Sequence, residues 1–299
     1  MPMMHENEIP IDQALVERLI AGQFPQWAGL PVRHASSAGT DNAMFRLGST
    51  MVVRLPRIAW AVDAVEREQA WLPVIGPRLP VATPVPLGLG RPAYGYPWPW
   101  SVYTWLDGVN PTTEDLTETL VRDLADCLNA VHALDLPGGP VSNRGFGFAG
   151  RDEETRSSIA QMVSLADILK IDTDAVTAIW DAAFALPPCE PPGTWIHSDT
   201  APGNLLVREG RLVGLIDFSG ISRGDPAVDL GLAWNLLPAE LRPVFRAQLD
   251  IDDATWLRSR AWALSQACLQ LPYYHETNKP LAAQARYVIA GVLADAENR

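Results

Sequence analysis

Apolar residues recur at helical spacing early in the chain, at Leu15, Val16, Leu19 and Ile20. They predict a helix over 12–23 with Asp12 as its N-cap. The period then changes. Between Val32 and Leu55, short apolar stretches are separated by the polar runs 36–42 and 48–50. That pattern predicts three antiparallel strands joined by tight turns. A helix over 61–75 and two further strands over 85–89 and 98–106 complete this first part. Asp107-Gly108-Val109-Asn110-Pro111 breaks the pattern. Beyond it the periodicity is helical, over 112–134, 153–169, 173–185, 225–236 and 254–271. Thr194-Trp195-Ile196 is β-like, and short strands at 205–207 and 212–216 flank a turn at Glu209-Gly210. The expectation is an α+β chain in two parts. Residues 1–106 form a small antiparallel sheet with one inserted helix, and residues 107–299 are larger and mainly helical.

A hydrophobic share of 47% with 11 Trp in 299 residues indicates a folded chain with a sizeable core. No apolar run approaches bilayer length, and no basic segment followed by an apolar stretch opens the chain, so neither membrane span nor secretory signal is expected. Three widely spaced cysteines suit reduced thiols in a cytoplasmic protein. The net charge of -12 argues against a nucleic-acid partner. It is unevenly placed: residues 1–106 carry 8 basic and 8 acidic side chains, residues 107–299 carry 15 and 27. An acidic second part would attract a cationic substrate; a solvated acidic surface accounts for the same count.

The chemistry concentrates in His197-Ser198-Asp199-Thr200-Ala201-Pro202-Gly203-Asn204, followed by a hydrophobic run ending in Ile216-Asp217-Phe218. Phosphoryl transfer needs the acceptor hydroxyl oriented, the phosphates held and their charge neutralised. Asp199, after a β-like segment, is placed to take the proton of an attacking hydroxyl. Asn204 and Asp217 offer the hard oxygen ligands that Mg2+ prefers. Alternatively, 199–204 is a polar turn and Asp217 a strand-ending carboxylate. His197 is expected to pack inward and bond the loop backbone.

With those residues, the chain resembles the aminoglycoside phosphotransferase family of kinase-like small-molecule kinases, from about Ser36 to Trp234. Further matching segments are Ser37–Asn42, Val52-Val53-Arg54-Leu55-Pro56, Val131-His132-Ala133-Leu134 and Gly224–Leu230. The resemblance implies a two-lobed protein-kinase-like fold, cleft binding of ATP or GTP with Mg2+, and phosphorylation of a small-molecule alcohol. It assigns Gly39 and Asn42 to the loop over the nucleotide phosphates, although the G-x-G-x-x-G of protein kinases is lacking. Arg54 takes the place of the phosphate-binding lysine, with Glu68 as its partner and Glu66 as second choice. Tyr103–Leu106 becomes the hinge, where backbone groups of Thr104 and Leu106 meet the purine edge. Tyr103 sits behind that pocket, where its bulk would favour guanine. Asp229 braces the catalytic loop, Asp225 caps a helix, and His132 is a packed helix histidine.

Aminoglycosides lead as acceptors; macrolides, choline-like amines and metabolites are the alternatives. Acidic contacts could come from Asp152, Glu153, Glu240, Asp252, Asp253 or Glu276. A pseudokinase regulator would be expected to lack one of Asp199, Asn204 and Asp217, and all three are present.

Overall fold

Helix α1 (Gln13–Gln23) starts where the Asp12 carboxylate accepts from the Leu15 nitrogen at 2.7 Å, as its sequence predicts. The computed structural model describes residues 8–35, 41–142 and 147–297. It divides into two compact units, Met1–Val109 with Val213–Ile221, and Asn110–Leu212 with Ser222–Arg299.

In the first unit, β1 (Val32–His34), β2 (Asn42–Leu47), β3 (Met51–Pro56), α2 (Val62–Ile75), β4 (Pro86–Gly90) and β5 (Trp100–Thr104) follow α1. The five strands form one antiparallel sheet in the order β1-β2-β3-β5-β4. Strand alternation gives the sheet two different faces. Phe45, Leu47, Val53, Leu55 and Val102 point to one, where they form a core with Leu15, Val16, Leu19 and Ile20 of α1. Arg54, Ser101 and Tyr103 point to the other, toward α2. Gly90 pairs with Trp100, whose indole occupies the space a Cβ would need.

The second unit contains α3 (Glu118–His132), α4 (Ala149–Ser164), α5 (Ala166–Leu169), α6 (Thr173–Ala183), β6 (Thr194–Ile196) and β7 (Leu205–Arg208). After the turn at Glu209 and Gly210, both at positive φ, β8 (Arg211–Leu215) carries the chain into the first unit. It returns at β9 (Ser222–Gly224), which pairs antiparallel with β6. Then come α7 (Leu232–Asn235), α8 (Arg242–Gln248), α9 (Asp253–Tyr274) and α10 (Lys279–Glu297). Helix α9 is buried on several faces, through Trp256, Ala261, Leu264, Cys268 and Leu271, and packs against α4, α6 and α10. A helix apolar around its circumference belongs at the centre of a helical unit. Among the described residues no helix is long and apolar enough to cross a membrane.

Three expectations are corrected. The single cut after residue 106 falls instead at Val109, and Val213–Ile221 joins the first unit. The physical reason is bonding across sequence: Ala82 exchanges backbone hydrogen bonds with Val213 and Leu215 at 3.0 Å. The helix expected over 112–134 begins only at Glu118. Thr112 and Asp115 form a capping box around a short 3-10 turn, and Thr117 caps α3 through the Leu120 nitrogen. The helix expected over 225–236 is a 3-10 segment, Pro226–Gly231, running into the short α7.

Candidate active site

In the second unit, β6 ends on the buried pair Trp195-Ile196, and the chain turns sharply at Ser198, whose φ is 74°. The turn is held by Asp229. Its fully buried carboxylate accepts from the backbone nitrogens of His197 at 2.8 Å and Ser198 at 2.6 Å. The His132 Nε2 lies 3.1 Å from the same carboxylate, and the Thr200 hydroxyl donates to the Asp229 carbonyl. A buried carboxylate is tolerated when its oxygens are this well supplied with donors. Asp225 caps the segment carrying Asp229 through the Ala227 nitrogen and is clamped by Arg258 at 2.6 and 2.9 Å.

Asp199 follows this anchored turn and is exposed. Its backbone nitrogen donates to Nδ1 of the buried His197 at 3.4 Å, so His197 supports the loop as expected. The Asn204 amide donates to the Asp199 carbonyl at 2.8 Å and to its carboxylate at 2.9 Å. With the nitrogen so directed, the Asn204 carbonyl oxygen points away from Asp199. Asn110 pins the same turn by donating to the carbonyls of Gly203 and Leu205, both at 2.9 Å. Asn110 lies in the break at 107–111 and His132 in a helix, and neither setting by itself announces a role in holding this loop. The Val131-His132-Ala133-Leu134 match was the available signal for the latter.

In the first unit, Arg54 joins two carboxylates, Glu68 through Nη1 and Asp217 through Nη2, each at 2.7 Å. Glu68, not Glu66, is the partner, and it is buried at 3% exposure rather than on the surface. Its second oxygen accepts from the Tyr103 hydroxyl at 2.7 Å. With its amide oxygen turned toward Arg54, Asn42 accepts from Nη2 at 3.1 Å and Nε at 3.3 Å. Burial works against the Arg54 charge, but Asp217 and Glu68 outweigh it and hold the guanidinium protonated. Burial pushes the Glu68 carboxyl above the usual carboxylate range, against the pull of Arg54. Burial and Glu68 together raise the Tyr103 phenol well above its ordinary value. Asp217 itself stands at φ 64° and caps the turn Phe218–Gly220 through the Ser219 nitrogen.

The hinge expectation divides. The Thr104 nitrogen donates to the Val85 carbonyl at 3.0 Å, so it is not available to a purine. Leu106 forms no backbone hydrogen bond among the described residues. Glu68 reaches Arg54 rather than open space, which makes it a support and not a nucleotide contact. Gly39 lies outside the described residues.

The donor chemistry suits Mg2+. Asn204, in the second unit, could offer a carbonyl oxygen, and Asp217, in the first, a carboxylate, both donors of the kind Mg2+ prefers. Among the described residues no group of three or more His, Cys, Asp or Glu could hold a metal ion by itself.

Comparison with known proteins shows the family and the fold. The sequence profile of the phosphotransferase enzyme family matches residues 34–262. The chain belongs to that family. Among curated relatives, two aminoglycoside 3'-phosphotransferases of Escherichia coli are 27% and 33% identical to it over 136 and 132 residues. These matches cover 45% and 44% of this chain, and span about half the relatives' length, 49% and 47%. Among solved structures, the GDP complex of wild-type aminoglycoside 2'-phosphotransferase-IIIa superposes with a TM-score of 0.72, at 17% identity, over 96% of this chain and 100% of that one. The macrolide 2'-phosphotransferase MphH from Brachybacterium faecium superposes with a TM-score of 0.61, at 18% identity, over 94% and 98%. The family fold is therefore present along nearly the whole chain.

Proposed function

We propose that the protein is a small-molecule kinase that moves the γ-phosphoryl group of ATP or GTP to a hydroxyl of an aminoglycoside-like acceptor. The observation that carries this reading is the treatment of Asp199. It is an exposed carboxylate on a loop whose flanking backbone is bound by a buried carboxylate and whose side chain is oriented by Asn204. An ordinary polar turn has no need of such anchoring.

In this reading Asp199 accepts the proton of the acceptor hydroxyl as its oxygen bonds to the γ-phosphorus. The bond from that phosphorus to the β–γ bridging oxygen breaks, and the nucleoside diphosphate leaves. Asn204 and Asp217 would hold Mg2+, which neutralises phosphate charge when bound. Arg54 offers a planar fork of donors to the phosphates, and Glu68 fixes its direction. A pseudokinase is disfavoured because base and metal positions are intact. Solved relatives in GDP and ADP complexes support a nucleotide donor of either base.

The curated relatives, and neighbours solved with kanamycin and gentamicin, support an aminoglycoside acceptor. One observation favours a second reading, an acceptor with little positive charge such as a macrolide. Several acidic candidates are engaged within the fold. Asp152 binds Arg156 and the Trp180 indole, each at 2.8 Å; Asp253 binds Arg246 at 3.0 Å; Asp252 caps α9. A panel of aminoglycosides, macrolides and small amino alcohols, assayed with ATP and GTP for nucleotide consumption and for phosphorylated product by mass spectrometry, decides between them. Neither turnover nor Mg2+-dependent nucleotide binding with any member would remove the kinase reading.

A further inference from the structure

The side chains of Tyr103, Glu68, Arg54 and Asp217 form an unbroken chain, each link 2.7 Å long. Its origin is strand register. Tyr103 pairs with Val52 and Ser101 with Arg54, so Tyr103 and Arg54 are diagonal neighbours on one sheet face. Glu68, from the helix covering that face, receives both: Oε1 takes Arg54 and Oε2 takes the Tyr103 hydroxyl. Glu68 and Tyr103 are each at 3% exposure, so water cannot replace either partner. The next residue on the helix, Gln69, donates to Ser101 at 2.9 Å and to the Gly88 carbonyl at 3.3 Å, which fixes the helix over the strands.

We propose that Tyr103 is a positioning residue for phosphoryl transfer, its hydroxyl holding Glu68 in the rotamer that aims Arg54 at the Asp217 carboxylate. The proposal rests on the kinase reading above. It adds a second role beside the base-selecting one that the resemblance implies for the ring: the hydroxyl would serve the phosphate and metal end through Glu68. A Tyr at this position is then chosen over Phe for a reason unrelated to base selection. Without the hydroxyl, the carboxylate of Glu68 loses a buried donor and gains freedom to rotate. Arg54, with one of its two carboxylate partners now mobile, no longer presents a fixed fork.

The test is a double-mutant cycle on the full chain, reading kcat and nucleotide KM with ATP and with GTP, alongside thermal melts. Tyr103→Phe keeps the ring. It should lower kcat about tenfold, the scale of one buried hydrogen bond to a charged group, while the ATP-to-GTP preference stays that of wild type. In a Glu68→Ala background the same substitution should have no further effect on kcat, because the hydroxyl has nothing left to hold. A wild-type kcat in folded Tyr103→Phe overturns the proposal, as does an equal loss in both backgrounds. A changed base preference with kcat intact assigns Tyr103 to the purine alone and also overturns it. If Tyr103→Phe fails to fold, Glu68→Gln is read in its place: it keeps an acceptor for the hydroxyl but weakens the hold on Arg54, so kcat should fall about tenfold with the ATP-to-GTP preference unchanged, and a wild-type kcat overturns the proposal. A wild type that transfers no phosphoryl group removes the kinase reading and this proposal together; an active wild type with an unaffected variant removes this proposal alone.

Discussion

Arg54 and Asp217, 163 positions apart in sequence, meet in a 2.7 Å ion pair inside the first unit. With the backbone bonds of Ala82 to Val213 and Leu215, the pair fastens nine residues from the second half of the chain to the N-terminal unit. On the proposed reading, it also ties the cation that would bind phosphate to the carboxylate that would hold the metal. Asp217→Ala should therefore do two things. Mg2+-dependent tightening of nucleotide binding should vanish, because the carboxylate that would hold the metal against the phosphates is gone. Arg54 should also keep only Glu68 as a carboxylate partner, beside the Asn42 amide. Calorimetric titration with and without Mg2+ checks this; an unchanged Mg2+ effect would place the metal elsewhere.

Asp199→Ala should lower kcat by about 10²–10⁴-fold, the usual scale for removing a general base, with nucleotide affinity little changed. Asn204 would lose its oriented partner but keep its bonds to the backbone of the loop. Steady-state rates near those of wild type would refute the assignment.

How far the sequence was legible depended on the range of the interactions. Local signals sufficed for α1, where Asp12 and four apolar positions define start and face, and for the hairpin at Glu209-Gly210. The loop residues Asp199 and Asn204, five apart, were readable as a unit because their hydrogen bonds stay within that unit. Glu68 was readable as the Arg54 partner, but its burial was not, since burial comes from the covering sheet. Nothing near Asp217 announces Arg54, and nothing near Asp225 announces Arg258, because these contacts are made by the tertiary fold. Helix α10 was missed for a different reason. Its apolar positions Ala285, Val288, Ile289 and Val292 have helical spacing, so the signal was present and unread.

Arg258 should be a stability determinant distinct from the chemistry. It binds the Asp225 carboxylate with both residues buried. Arg258→Met leaves that carboxylate uncompensated and should cost about 3–5 kcal/mol in denaturant unfolding. Adding Asp225→Asn removes the stranded charge while keeping a cap for the Ala227 nitrogen, so part of the loss should return. A double variant no more stable than Arg258→Met would show that packing of the guanidinium, not the charge, is what matters.

Thiol reactivity tests the burial of the helical unit. Burial pushes the Cys189 thiol up to about 11, and Cys127 and Cys268 up to about 12. The thiolate is the reactive form, so at neutral pH all three should resist iodoacetamide in the folded protein and react after denaturation. On raising the pH, Cys189 should label first, because it has the lowest of the three values and is not fully buried. Mass spectrometry of labelled peptides reads the order; early labelling of Cys127 or Cys268 would contradict the packing described around α3 and α9.

The acceptor can be approached through salt. Residues after 106 carry the whole net charge of -12, yet Asp152, Asp253 and Asp252 are held by internal partners. What the charge count supports is a field over the second part of the chain, and such a field is screened over about 8–10 Å at physiological ionic strength. If an aminoglycoside is the acceptor, its KM should rise clearly from low to physiological salt while kcat holds, and the nucleotide KM should shift less. Turnover of an uncharged or weakly basic alcohol with a salt-independent KM, and none with any aminoglycoside, would exclude that class of acceptor. It would leave the roles of Asp199, Asn204 and Asp217 unaffected, because those residues act on the hydroxyl and the phosphates, which every acceptor shares.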